Sequence, residues 1–300
     1  MILITGLTGT SGSAFYDILV RENYSEKIRV LVRETSDISM FKDCPLDLEL
    51  VFGNLNDKET LLNAMAGCDT VFHIAAKDKI RKVADSILST PSIKKVIFVS
   101  STIVYSKHYP NSTLRTDEPI VRKALFEKGI RCVFLRPTMI FGTPNDQNIS
   151  QFIRWFGKYP IFPIVKKGVA TISPISRLDV AEAYWKTLNN FDKLKKDEYI
   201  VSGNECMSLY EMFKILVELQ GKKTKFINIP FPFANACVLL VYLLSFKKID
   251  YREKLNRLTE DRAYPNDIFK VELGFNPKPF SERVLPLIKQ INNIEKSQSS

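Results

Sequence analysis

Six short β-rich runs open the chain: MILIT (1–5), IRVLVR (28–33), LELVF (48–52), TVFHIAA (70–76), KKVIFVSS (94–101) and RCVFLRP (131–137). They alternate with stretches whose apolar residues recur at helical spacing, such as Ala14, Phe15, Ile18 and Leu19, or Ile80, Val83, Ala84, Ile87 and Leu88. Strand, helix, strand, repeated, requires parallel crossovers, because a tight hairpin joins only antiparallel neighbours. Nearly continuous apolar strands suit a sheet covered on both faces. With the right-handed crossover rule this leaves an α/β fold with a doubly wound parallel sheet.

After about residue 145 the alternation becomes irregular, as expected of a smaller C-terminal cap over the carboxyl edge of the sheet. We therefore expect a nucleotide-binding part over 1–170 and a substrate-binding cap over 171–300, with some cap segments returning to the sheet. The periodicity predicts a helix over 178–192 and a strand at EYIVSG (198–203). Ser208 followed by Glu211 predicts a capping box opening SLYEMFKILVELQ, with Gly221 as the stop. The polar KSQSS tail is expected to fray. PFANACVLLVYLLSF (232–246), followed by Lys247 and Lys248, is shorter than the roughly 20 residues that span a bilayer. It is expected to be a buried or partly interfacial cap helix, with membrane contact as the alternative.

Hydrophobic residues at 45% and charged residues at 25% exclude a disordered or fibrous chain. The net charge of +10 points to an acidic partner, whether nucleotide phosphates, nucleic acid or an anionic membrane surface, but the cations are too dispersed to choose, without a basic stripe or zinc-finger spacing. No nucleic acid and no metal are expected. Cys44, Cys68, Cys132, Cys206 and Cys237 lie far apart and read as reduced, mostly buried thiols. MILIT is too short for a signal-peptide core, so a cytoplasmic location is expected.

Directly after the first strand comes TGLTGTSG, with Gly6, Gly9 and Gly12 spaced G-x-x-G-x-x-G and leading into a helix. Glycine permits the tight turn and lets the backbone approach a pyrophosphate, whose charge then sits at the helix N-terminus beside Ser11. The second strand ends at Arg33, where a protein preferring NAD(H) usually carries an acid. A guanidinium there can bond a 2′-phosphate, so NADP(H) is the expected cofactor and NAD(H) the alternative.

TGLTGTSG, GNLNDKETLLNAMAGCDTVFHIAA (53–76), VIFVSSTIVY (96–105), LRPTMIFG (135–142), ISRLDVAEAY (175–184), YIVSGNECMSLYEM (199–212) and ELGFNPKPFSE (272–282) follow in order along the chain. Together they resemble the extended short-chain dehydrogenase/reductases of the NAD-dependent epimerase/dehydratase group. The resemblance implies an NAD(P)-binding Rossmann fold. It places Gly6, Gly9 and Gly12 on the pyrophosphate, Asn54 and Leu55 by the adenine, Ala75 and Ala76 by the ribose, and Pro137 near the nicotinamide. His73 reads as a packed strand residue.

That family uses a tyrosine acid/base, a lysine four residues later on the same helix face, and a serine or threonine for the substrate oxygen. Ser101 matches the serine. Only Tyr210 has a lysine, Lys214, at the fourth place, and that match reads as accidental. The chain is thus an atypical member, with room for only one short helix between Ser101 and the LRP strand. Tyr105, Lys107 and Tyr109 are the candidate substitutes. The expected function is oxidation, reduction or epimerisation of a hydroxyl or carbonyl compound, with a nucleotide sugar as the first substrate class and a lipophilic alcohol or ketone as the second. The competing reading is a non-catalytic NADP(H)-binding sensor or assembly protein. Relatives imply a homodimer; the shortened segment after Ser101 leaves a monomer open.

Overall fold

A computed structural model describes residues 1–109, 112–246 and 248–299, so Lys247 of the basic doublet and the last residue of the tail lie outside the described residues. Strands β1 (Ile2–Thr5), β2 (Ile28–Val32), β3 (Leu48–Phe52), β4 (Thr70–His73), β5 (Lys95–Val99) and β6 (Arg131–Pro137) fall on the six β-rich runs. The shorter β7 (Ile140–Phe141), β8 (Ile161–Val165), β9 (Thr171–Ile172) and β10 (Ile175–Ser176) precede β11 (Glu198–Val201), β12 (Met207–Ser208) and β13 (Lys225–Ile229). One seven-stranded sheet has the order β11-β6-β5-β4-β1-β2-β3, and every pairing in it is parallel. The order reverses at β1, whose Thr5 pairs with Leu31 on one side and His73 on the other. In doubly wound sheets that switch point is where a ligand crevice opens, at the carboxyl ends of the strands.

Strand alternation sends Ile2 and Ile4 to one face and Leu3 to the other. On the first face they pack with Phe15 and Leu19 of α1 (Thr10–Arg21) and Val180 and Tyr184 of α6 (Arg177–Asn189). The second face is covered by α2 (Lys58–Met65), α3 (Ile80–Leu88) and α4 (Thr113–Glu127) through Leu61, Val83, Ile87, Val121 and Leu125. The segment expected to hold one short helix holds the 15-residue α4, which continues through Pro119.

A third apolar cluster joins α5 (Ile149–Lys158), α7 (Leu209–Leu219) and α11 (Phe280–Ser299) through Ile153, Phe156, Phe213, Leu216, Val284 and Ile288. Its Phe141 and α5 precede residue 170, whereas β11, far beyond it, completes the sheet. The capping box forms as expected: Ser208 Oγ accepts from the Glu211 amide at 3.1 Å and Glu211 accepts from the Ser208 amide at 2.7 Å. Gly221 follows α7 at φ +63°. Residues 296–299 of the KSQSS tail stay in α11, which runs to Ser299. A second difference concerns α8 (Phe231–Leu244), which carries the apolar run: it is not a buried cap helix, since only its Ala234 is buried. No helix among the described residues is long and apolar enough to cross a membrane.

Candidate cofactor and substrate cleft

The glycine loop forms the floor of a cavity of about 520 Å³ at the switch point, lined among others by Gly6, Gly9, Ser11, Arg33, Asn54, Leu55, Ala75 and Ala76. Gly6 takes φ +83°, and a Cβ there would stand 2.5 Å from the Ala75 nitrogen. Gly12 lies beneath the loop, where a Cβ would meet the Gly6 carbonyl oxygen at 2.1 Å. Gly9 is the N-cap of α1 and supplies no capping side chain, so first-turn N–H groups face the cavity. The first turn also carries no acid. This is a cradle that admits an anion and that side chains would fill. Arg33 is exposed at its rim and makes no ion pair among the described residues, and Ser36 lies beside it. Asn54 folds back on itself, its Oδ1 accepting the Asn56 amide at 2.9 Å. The chain leaves β4 through Ala76 at φ +32°, a left-handed turn that brings the 75–76 backbone to the cavity wall.

Ser11, Ile74 and Ala76 also line a second cavity of about 620 Å³, so the two adjoin across these residues. Pro137, Ser101, Thr102 and Tyr264 face it. Ser101 caps the turn after β5: its Oγ accepts the Ile103 amide at 3.3 Å, which leaves its hydrogen to donate into the cavity. Three cations converge on the same space, Lys77, Arg257 and Arg262. Burial, and then the neighbouring Arg257, lower the pKa of both Lys77 and Arg262. The Nε atoms of Arg257 and Arg262 are buried with no hydrogen-bond partner among the described residues. Nearby acids are already engaged: Glu260 accepts from Ser106 Oγ at 2.6 Å and from the Lys107 amide at 2.7 Å, and Asp78 pairs with Lys79 at 2.9 Å. Burial also raises the pKa of Tyr264, keeping its phenol protonated.

A family model described as the NmrA-like family matches residues 1–262 of the chain. The chain belongs to the NmrA-like family. A 4-hydroxy-2-methyl-3-oxo-4-farnesyl-3,4-dihydroquinoline-1-oxide ketoreductase of Stigmatella aurantiaca is 25% identical over 268 residues, which is 79% of this chain and 78% of that one. Among solved structures, gox2253 superposes with a TM-score of 0.76 at 23% identity, covering 98% of both chains. DesIV, a dTDP-glucose 4,6-dehydratase from Streptomyces venezuelae with NAD and TYD bound, gives 0.72 at 16% identity over 97% of both chains. The NmrA-like chain thus has the NAD(P)-dependent oxidoreductase/epimerase fold of the extended short-chain dehydrogenase/reductases, in line with the sequence resemblance.

The three substitutes proposed beside Ser101 are not brought to this cleft. Tyr105 ends a short 3₁₀ turn, Thr102–Tyr105, outside the lining of the cavity, with its ring 5.5 Å from that of Tyr264. There its hydroxyl donates to Glu198 Oε1 at 3.0 Å and its ring stacks under the Arg136 guanidinium, 5.3 Å from the centroid. Lys107 is exposed, and neither Lys107 nor Tyr109 lines the cavity. Tyr210 sits on α7, its ring 6.0 Å from Lys214 Nζ, well outside the cleft lining, which supports the accidental reading of that pair. Tyr105 borders another cavity, about 840 Å³ between α4 and β6, where Arg136, Arg122, Glu118 and Glu198 pair with one another. Arg136 binds Glu118 at 2.6 Å and Glu198 at 2.9 Å; Arg122 also holds Glu198, at 2.7 Å. Burial would raise the Glu198 pKa, but hydrogen bonds from Arg136 and Arg122 bring it down to about 2.

His73 is fully buried, as expected of a packed strand residue, with Nδ1 2.7 Å from Thr5 Oγ1 and its ring edge-on to Phe98. Burial lowers its pKa to about 4. The unfolded chain therefore binds more protons between pH 6.5 and 4, and stability is expected to fall as pH drops through that window, by roughly 3 kcal/mol in all. Denaturant unfolding at successive pH values checks this: the slope between pH 6.5 and 5 should flatten in His73→Gln, and an unchanged slope would remove His73 as its source.

Proposed function

We propose that this NmrA-like protein is an NADP(H)-dependent oxidoreductase that interconverts a carbonyl and an alcohol on a small molecule bearing an anionic group. One observation carries the reading: the glycine-loop cavity shares Ser11, Ile74 and Ala76 of its wall with the cavity that holds Ser101 and Pro137. A dinucleotide with its pyrophosphate over Gly6, Gly9 and the α1 N-terminus would be held by Asn54 and Leu55 at one end, and by Ala75, Ala76 and Pro137 toward the other. Bound there, the nicotinamide supplies or accepts a hydride. Ser101 Oγ donates a hydrogen bond to the substrate oxygen and fixes it beside Pro137. Tyr264, kept protonated by burial, is the proton donor in the reducing direction. Lys77 supplies the nearby positive charge that the missing tyrosine–lysine pair would otherwise provide.

Lys77 and Arg262, without an ion pair among the described residues, and Arg257, whose acidic partner Glu253 stands 3.9 Å away, support an anionic substrate, which a nucleotide sugar satisfies. A lipophilic ketone is the second reading, supported by the ketoreductase relative. Following NADPH absorbance across both substrate classes tests the proposal. Turnover is expected with one of them, and Ser101→Ala should lower kcat by roughly 10²–10³-fold. Cofactor binding with no hydride transfer to any member of either class would favour a non-catalytic NADP(H) sensor or assembly protein. Arg33→Ala is expected to weaken NADPH binding by about ten- to a hundredfold while leaving NADH unchanged, the signature of a lost charge-assisted bond to a 2′-phosphate. Equal losses for both nucleotides in a calorimetric titration would mean that Arg33 does not read the 2′ position.

A further inference from the structure

α8 is apolar all round, and the protein provides no core for it. Phe233, Leu239, Leu240, Val241, Leu243 and Leu244 are 41 to 71% exposed, and Phe246 just beyond is 86% exposed. Helices of this character lie in a protein core or in hydrocarbon. Successive positions turn by about 100°, so exposed residues at 239, 240, 241, 243 and 244 occupy most of the circumference. The flat face of a second copy or of another protein would cover one side of such a helix, whereas fluid hydrocarbon covers every side.

Charge identifies the surface that carries the hydrocarbon. Residues 222–254 hold seven Lys or Arg and two acids, a net of 7 − 2 = +5. Cations bracket the apolar helix on aromatic rings: Lys166 Nζ lies 5.2 Å from the Phe231 ring at its start, and the Arg252 guanidinium 4.2 Å from the Tyr242 ring near its end. Aromatic rings beside cations are the pairing found at headgroup level. The 14 residues of α8 make about 21 Å of helix, short of the roughly 30 Å of a hydrocarbon core.

We propose that α8 docks the protein on an anionic membrane, lying within one leaflet with Lys166, Lys248 and Lys254 on the lipid phosphates, Arg252 being held by Asp250 at 2.6 Å. The inference does not depend on the enzymatic reading, because α8 lies outside both cavities of the cleft. Flotation of the full chain with vesicles of phosphatidylcholine alone, or of phosphatidylcholine with phosphatidylglycerol, tests it. The protein is expected to float with the phosphatidylglycerol vesicles, less at high salt, and weakly with phosphatidylcholine alone. Leu240→Glu with Leu244→Glu, both at exposed positions where the fold is not at stake, should lower partitioning on the order of a hundredfold. NADPH binding measured on the same preparations should be unchanged, so a failure of docking and a failure of the cofactor reading remain separate results. Wild-type protein that stays unbound with both vesicle types, or a double variant that floats equally well, would overturn the proposal. A concentration-dependent dimer abolished by the same substitutions, with no flotation, would instead assign α8 to contact between copies and overturn it as well.

Discussion

Glu118→Ala is expected to destabilise the folded protein by about 3 kcal/mol, the cost of leaving the buried Arg136 guanidinium with only one carboxylate, the half-exposed Glu198. Glu118 and Arg136 are 3% and 4% exposed, and Arg136 keeps its charge against burial only because Glu118, and then Glu198, face it. Ser100 Oγ donates to Glu118 as well, so the loss would also strand a hydroxyl at the end of β5. The consequence reaches the cleft, since Ser101 follows Ser100 and Pro137 follows Arg136. Urea unfolding of the variant checks the figure, and Glu118→Gln, which keeps a hydrogen-bond acceptor, should lose less. A loss below about 1 kcal/mol for Glu118→Ala would mean that Arg136 finds another partner or water.

Gly12→Val is expected to lower NADPH affinity on the order of a hundredfold or more while the sheet remains folded. The added carbon would stand 2.1 Å from the Gly6 carbonyl oxygen and 2.8 Å from the Leu7 Cα, both backbone atoms that cannot rotate away. The loop must lift off α1, and the pyrophosphate cradle opens with it. Gly9→Ala gives a graded comparison, because its new carbon would meet the same oxygen at 3.2 Å, a distance that a shift of a few tenths of an ångström relieves. Isothermal titration with NADPH, alongside a circular dichroism spectrum, separates lost binding from lost fold. Unchanged affinity in Gly12→Val would place the dinucleotide elsewhere.

The strands were legible because their apolar runs are short, β-rich and bounded by turns, and the glycine loop because its spacing has a strand before it and a helix after it. The capping box was legible for the same local reason: Ser208 and Glu211 contact each other across one turn. What the sequence concealed is tertiary. Lys77 leaves β4, while Arg257, Arg262 and Tyr264 arrive some 180 residues later, and no local pattern links them. The choice of Tyr105 rested on nearness to Ser101, and the 3₁₀ turn between them carries its hydroxyl to Glu198, a partner far along the chain. An apolar run such as 232–246 reads alike whether protein or lipid covers it, so the exposure of α8 could emerge only from the fold.

The central claim is that the switch-point cleft holds a dinucleotide with a 2′-phosphate, and calorimetric titration of the wild-type protein with NADPH and, separately, NADH tests it most directly. The account predicts saturable NADPH binding at a 1:1 ratio and markedly weaker binding of NADH. Absence of heat and of any thermal stabilisation with either nucleotide would contradict it.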